Sequence, residues 1–268
     1  MKNIIILGVS ADIGRNICKR YHDEGFNIIG TYRRDFPEYA ELAQLKRLKL
    51  VKCDLSKQDD IQNLTDVIRA RNFRWTTIFS SVGTTEPIGR FFDLDFCEWE
   101  QSFNINMISQ LKVIHALYPL RDDSTVVSIA LLAGGGTNNP FRCYSAYCVA
   151  KIGLIKMCEL IDDETIDVNI FILGPGFVKT KTHLETIKAA QKAEANFDRV
   201  KQFLTSDDQG TSFEDIYNCI RWAESEGRQT AGGRNLSVVH DKWGTDALAI
   251  ELKQNVNMYK LRRFRNEW

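Results

Sequence analysis

Residues Asn3–Gly14 read NIIILGVSADIG: an apolar run that stops at a glycine, a short polar turn, and a second glycine that opens an amphipathic stretch. Four consecutive apolar residues, three of them β-branched, suit a strand buried on both faces, as in a parallel sheet. Gly8 permits the tight turn after that strand, and Gly14 lets the following helix pack closely on it. The helix start then offers free N–H groups and the positive end of its dipole, an arrangement that holds a pyrophosphate. Ser10, Asp12 and Ile13 complete the turn, with Asp12 standing where a middle glycine is usual. Gly8, Ser10, Asp12, Ile13 and Gly14 are therefore expected to contact a dinucleotide.

The same alternation continues along the chain. Further strands are expected at Asn27–Tyr32, Leu48–Cys53, Thr76–Val82, Thr125–Ala130, Asp167–Leu173 and Asn235–Val239, with helices over 13–24, 37–46, 57–71, 95–118, 144–163 and 211–225. Strand–helix alternation of this kind implies right-handed crossovers and one α/β domain: a doubly wound parallel sheet with helices on both faces. The 268 residues suffice for one large core, and 44% hydrophobic with 26% charged residues is ordinary for a globular chain. With 35 basic and 35 acidic residues, bulk electrostatic attraction to nucleic acid or anionic lipid is not expected. No apolar run approaches the ~20 residues of a membrane span. Ile4–Leu7 is too short for a signal peptide's apolar core. Seven cysteines without CxxC spacing read as free thiols, with no metal site, in a cytoplasmic protein.

Two stretches bear on the coenzyme. Arg33 and Arg34 follow the second strand, where an acidic residue would bond a ribose 2′-hydroxyl and repel a 2′-phosphate. Arginine does the reverse, which favours NADP over NAD unless both side chains are simply solvated. Asp54 and Leu55 end the third strand, and Asp54 either accepts a hydrogen bond from an adenine amine or caps the next helix. Further on, Tyr147 and Lys151 stand at i and i+4 on one helical face. A nearby ammonium lowers a phenol's pKa from about 10 and makes it a proton donor and acceptor.

Taken in order, these motifs resemble the short-chain dehydrogenase/reductase family over residues 1–240. Gly8–Gly14 is similar to its coenzyme loop. Ser80-Ser81-Val82-Gly83 stands where members usually carry Asn-Asn-Ala-Gly. Trp99–Asn106 resembles the segment ending in the family's catalytic asparagine, and Tyr147 with Lys151 its active-site pair. Pro175-Gly176-Phe177-Val178-Lys179-Thr180 resembles the turn that brackets the nicotinamide. The resemblance implies a Rossmann-type fold and an NADP- or NAD-dependent oxidoreductase acting on a carbonyl or secondary alcohol. It implies that Tyr147 transfers the proton, Lys151 depresses the Tyr147 pKa and holds the ribose, and Asn106 anchors a water. Ser81, Val82, Gly83, Pro175, Gly176, Val178 and Thr180 would join the coenzyme site.

One family residue is missing. Aligning Val127-Ser128-Ile129-Ala130-Leu131 with the pattern that contains the carbonyl-polarising serine puts Leu131 in its place, as a substrate contact. Counting back from Tyr147 lands instead in Gly134-Gly135-Gly136, with Thr137, Tyr144 or Ser145 as replacement hydroxyls. Losing one such donor costs about 3–4 kcal/mol of barrier, which slows hydride transfer without abolishing it. A catalytically weakened dinucleotide-binding sensor or scaffold is the alternative reading.

Residues 179–206 break the alternation and read as a substrate lid with one or two helices, with His183 at its root as a substrate contact. The stretch Gly232–Trp243 faintly resembles members linked to surface polysaccharides and nucleotide sugars, so a sugar is one candidate substrate. Lys260–Arg265 reads as a solvated helix end. Helices 95–118 and 144–163 carry surplus apolar surface, which in this family forms a homodimer or homotetramer interface.

Overall fold

Strand β1 (Asn3–Leu7) is buried along its whole length, and alternation divides its side chains between two cores. Ile5 and Leu7 enter one, Ile4 and Ile6 the other. The computed structural model describes residues 2–263. In chain order the remaining elements are α1 (Asp12–Asp23), β2 (Asn27–Tyr32), α2 (Tyr39–Ala43), β3 (Leu48–Lys52), α3 (Gln58–Ala70), β4 (Thr77–Ser80), α4 (Phe96–Phe103), α5 (Ser109–Leu117), β5 (Val127–Leu132) and α6 (Ser145–Glu164). They continue as β6 (Val168–Gly174), α7 (His183–Ala189), α8 (Ala195–Thr205), α9 (Phe213–Glu226), α10 (Arg228–Ala231), β7 (Asn235–Ser237) and α11 (Asp246–Gln254).

All the strand pairs are parallel, in the order β3-β2-β1-β4-β5-β6-β7. Helices α3, α5 and α6 cover one face, with Leu64, Val113 and Leu154 fully buried against it. Helices α1 and α9 cover the other, through Ile17, Tyr21 and Ile220. The expected single-domain, doubly wound α/β fold is the observed one. Among the described residues no helix is long and apolar enough to cross a membrane.

The expected continuous helix 95–118 is instead three pieces: α4, a π-helical turn at Asn104–Ile108, and α5. One extra residue per turn changes which side chain points inward, and here it turns Asn106 into the interior. The expected helix end at Lys260–Arg265 is also corrected, because residues 260–263 are not helical; Phe264 and Arg265 lie outside the described residues. Arg262 pairs with Glu159 at 2.8 Å, and the Leu261 N–H donates to Glu159 at 2.6 Å, so the tail is docked on α6.

What closes the far edge is a buried arginine. Arg234, 3% exposed, donates to the carbonyls of Gln229, Thr230, Leu252, Asn255 and Met258, joining α10, α11 and the turn beyond them. Four of these carbonyls would be left without a donor in Arg234→Met, since Asn255 keeps the Met258 N–H. That variant should lose about 3 kcal/mol or more, read as a lower urea midpoint, with Arg234→Lys recovering part of it. An unchanged midpoint in Arg234→Met would show that the arginine does not hold this edge.

Candidate active site

Strand order reverses between β1 and β4, so a crevice opens beyond Leu7 and Ser80, which pair across it. Gly8 turns the chain there at φ +89°. A side chain on Gly14 would overlap both the Gly8 carbonyl oxygen and Ser81 Oγ, so α1 can approach only because this residue is glycine. Ser81 Oγ in turn donates to the carbonyls of Leu7 at 3.1 Å and Gly8 at 2.9 Å, which ties the end of β4 to the loop. Ala11 supplies no side-chain cap to α1. The N–H groups of Ser10, Asp12, Ile13 and Gly14 donate to nothing among the described residues. A helix start with unspent donors in a crevice fits the pyrophosphate of a dinucleotide.

Asp12 does not face that crevice bare. Its Oδ1 pairs with Arg15 at 2.9 Å, and its Oδ2 accepts the Lys181 N–H at 2.7 Å. Lys181 Nζ reaches the Ser10 carbonyl at 2.6 Å. Two local donors thus offset the acidic side chain, and the segment after β6 is laced to the glycine loop.

Arg33 and Arg34 line an open cleft of about 830 Å³ at the end of β2, together with Lys52 and Lys57. Asp54 lies on the same cleft. Burial works against its ionisation, but hydrogen bonds from Ser56 and the charges of Arg33 and Lys57 hold its carboxyl below the ordinary range. Its Oδ1 accepts from Ser56 N at 3.1 Å and Ser56 Oγ at 2.7 Å, so it shapes the turn into α3. Leu55 sends its side chain into the core, as does part of Ile13. Lys52 and Lys57 carry no motif of their own; only the folded cleft brings them beside the arginines.

The catalytic candidates meet at the start of α6. Lys151 is buried and donates from Nζ to the Leu132 carbonyl at 2.8 Å. Burial lowers its pKa from the ordinary lysine value to about 8. Its ammonium lies 5.8 Å from the centre of the Tyr147 ring. A Cβ on Gly83 would stand 3.0 Å from Asn106 Oδ1 and 3.7 Å from Lys151 Nζ, so Gly83, Asn106 and Lys151 converge. Asn106 clamps the next residue from both sides: its Oδ1 accepts the Thr84 N–H at 3.0 Å, and its Nδ2 donates to the Thr84 carbonyl at 2.9 Å. Its own carbonyl accepts from Gln110 Nε2 at 2.6 Å, and Gln110 in turn accepts from Ser80 Oγ at 2.6 Å.

One expectation about Tyr147 is reversed. Burial, reinforced by the Cys148 and Glu185 charges, pushes the phenol well above its ordinary pKa. Lys151 does not offset this rise: its ammonium stands 5.8 Å from the ring centre, and no lowering by it acts on the phenol.

The serine position is resolved as well. Leu131 is fully buried in β5, paired with Ile172, so it is a core residue and not a substrate contact. Gly134 holds the place instead: a Cβ there would overlap Tyr147 Oη, so the phenol fills the space a side chain would need. The candidate replacement hydroxyls have partners of their own, although Ser145 only accepts and keeps its own proton to donate. Thr137 donates to the Gly134 carbonyl, Ser145 accepts from Trp99 Nε1, and Tyr144 bonds Thr186.

The segment after β6 supplies the remaining wall. Gly176 turns the Pro175–Gly176 corner at φ +75°, with no room for a side chain between Val239 and Thr211. Val178 is buried and bridges Gly210, and the Thr180 carbonyl accepts the His183 N–H at 3.2 Å. His183, expected to touch substrate, is committed to packing. It stacks on Phe177, meets Phe203 edge-on, and places Nε2 2.9 Å from the Val178 carbonyl. Burial lowers its pKa, against the smaller opposing effect of the Val178 carbonyl.

The segment expected to be a lid forms α7 and α8, joined by a short 3-10 turn with Ala190 and Glu194 at φ +47° and +49°. Its Ala193 and Phe197 pack with Ile88, Phe141 and Tyr144 in an apolar cluster that the Tyr147 ring borders. Glu185 is the residue that sequence reasoning missed: it reaches back a hundred positions to Thr84 and Thr85.

Among known proteins, the model of the short chain dehydrogenase family matches residues 2–191. Benzil reductase ((S)-benzoin forming) of Bacillus cereus is 22% identical over 213 residues, covering 74% of this chain and 84% of that protein. The 7beta-hydroxysteroid dehydrogenase of Mediterraneibacter gnavus is 27% identical over 184 residues, covering 63% and 67%. The crystal structure of the short chain dehydrogenase/reductase YIR035C from Saccharomyces cerevisiae superposes with a TM-score of 0.81 at 18% identity, over 93% of this chain and 99% of that one. With most of the sheet inside the family match, the chain belongs to the short-chain dehydrogenases/reductases, oxidoreductases that work on CH–OH and C=O groups with a nicotinamide coenzyme.

Proposed function

We propose that this enzyme is an NADP-preferring carbonyl reductase, and that the meeting of Tyr147, Lys151, Asn106 and Gly83 carries the reading. The free N–H groups of the Gly8–Gly14 turn would hold the pyrophosphate. Arg33 and Arg34, joined by Lys52 and Lys57, would hold a 2′-phosphate. Lys151 would hold the ribose, with Ser81–Gly83, Asp54–Leu55 and Pro175–Thr180 around the rest. When bound, the nicotinamide supplies the hydride.

Tyr147 is the proton donor at Oη. Its raised pKa disfavours the phenolate that alcohol oxidation would need as a base, which favours reduction of a carbonyl. Asn106 fixes Gly83 and Thr84 so that the wall opposite Tyr147 does not yield. Gly134 brings no hydroxyl to the substrate oxygen, so turnover is expected to be a hundredfold or more below that of a site with the serine.

The aromatic and aliphatic floor under the lid favours an apolar ketone over the sugar or nucleotide sugar considered from the C-terminal stretch. The relative named benzil reductase has, by its name, a substrate of that apolar kind. All seven cysteines are unpaired, in keeping with a reducing, cytoplasmic setting.

A second copy of the chain is the proposed partner, in a homodimer or homotetramer. Phe92 is 95% exposed, beside the exposed Phe91 and Phe96. Trp99 of α4 stacks on Phe96 and bonds Ser145 of α6, which joins this patch to the exposed Val149.

Three outcomes are expected. Tyr147→Phe should lower kcat for 1-phenyl-1,2-propanedione with NADPH by about 10²–10⁴-fold and leave coenzyme affinity unchanged. Retained turnover would remove Tyr147 as the proton donor, and a wild type that binds coenzyme without any turnover would support the binding-protein alternative. Lys151 loses its charge as pH rises through about 8, so dinucleotide affinity should fall above that pH. Lys151→Met should bind weakly with a flat profile, and a matching fall in the variant would assign the titration elsewhere. Sedimentation at micromolar concentration should show a dimer or larger species that Phe92→Ser/Phe96→Ser shifts toward monomer; a monomeric wild type contradicts the interface.

A further inference from the structure

We propose that Glu185 is a specificity-determining residue: carried in on α7, its carboxylate meets the substrate beside the reacting carbonyl and excludes anionic carbonyl compounds, so the enzyme takes neutral or cationic ones. The inference rests on the carbonyl-reductase reading above and adds the substrate's charge to it.

Glu185 is held at the site by neutral donors. Its Oε2 accepts from Thr85 N and Thr85 Oγ1, each at 2.7 Å, and from Thr84 Oγ1 at 3.2 Å. Thr84 follows Gly83 directly and is the residue that Asn106 clamps through both backbone groups. On the other side, the buried Thr186 bonds Tyr144 Oη at 2.8 Å, three residues before Tyr147. The carboxylate is thereby pinned between the turn that carries Gly83 and the helix that carries Tyr147.

Its charge is not offset. Among the described residues no lysine, arginine or histidine pairs with Glu185, and its Oε1 accepts no hydrogen bond. The other lid glutamate differs: Glu194 pairs with Arg90 at 2.6 Å and Arg142 at 2.8 Å. The Glu185 charge reaches the chemistry, since it contributes to raising both the Tyr147 and Tyr144 phenols. A second carboxylate a few ångströms away would be repelled, whereas a ketone of the same shape would not. A substrate hydroxyl or ammonium could use Oε1.

The test compares 1-phenyl-1,2-propanedione with phenylglyoxylate, which has a carboxylate in place of the acetyl group. With saturating NADPH, Glu185→Gln should shift kcat/KM toward the keto acid by at least about tenfold relative to the diketone, chiefly through KM. Glu185→Asp keeps the charge and should keep the wild-type preference. A ratio unchanged within twofold in Glu185→Gln, or equal shifts in both variants, overturns the proposal.

If the wild type turns over neither compound, the reductase reading fails, and the charge question is decided by calorimetric titration of both compounds into NADP⁺-loaded protein. Phenylglyoxylate should then bind Glu185→Gln at least about tenfold tighter than wild type. Equal affinity, or no binding to either protein, overturns the proposal.

Discussion

The contact between α1 and the ends of β1 and β4 at Gly14 is the constraint on which the rest of this structure depends. A single methyl group there would overlap the Gly8 carbonyl and the Ser81 hydroxyl. Because it is absent, the start of α1 lies directly over the reversal in strand order, and its unspent N–H groups face the crevice. The Ser81 hydroxyl then locks β4 to the loop through two carbonyls. Everything that follows β4, namely Gly83, Thr84 and Thr85, is positioned relative to the coenzyme site by that lock.

From this fixed edge the catalytic wall is built by burial. Asn106, turned inward by a π-helical turn, uses its amide to hold Thr84. Lys151 is buried with its pKa lowered, and Tyr147 is half-buried with its pKa raised. Of the candidate hydroxyls for the absent serine, Thr137 donates to the Gly134 carbonyl and Tyr144 bonds Thr186, while Ser145 accepts from Trp99 and keeps its own proton to donate. Beside the Tyr147 phenol lie an apolar cluster shared with residues 179–206 and the Glu185 carboxylate, which no cation pairs among the described residues.

Much of the fold was legible because β-branched runs bounded by turns leave little freedom: Asn27–Tyr32 matches β2 to the residue. Where the reading failed, the cause was local. Sequence placed the end of β5 at Ala130, but the strand runs to Leu132, which makes Leu131 a buried strand residue and moves the serine position to Gly134. The π-helical turn leaves the apolar spacing of 95–118 looking like an ordinary helix. Helix α11 was missed although Thr245 caps it and Leu248, Ala249 and Leu252 mark its buried face. In the site, Tyr147 and Lys151 could be seen because they share one turn of helix. Glu185 could not, because its role arises only when the lid folds back on Thr84 and Thr85. His183 looked exposed to substrate in sequence but is consumed by its stack on Phe177.

The central claim is that this crevice holds a nicotinamide dinucleotide with a 2′-phosphate. A direct titration with NADPH and with NADH, followed by energy transfer from tryptophan to the nicotinamide at fixed ionic strength, tests it most directly. The account predicts saturable binding of both, with NADPH at least about tenfold tighter through Arg33 and Arg34. NADH binding as tight as NADPH, or binding of neither coenzyme, would contradict it.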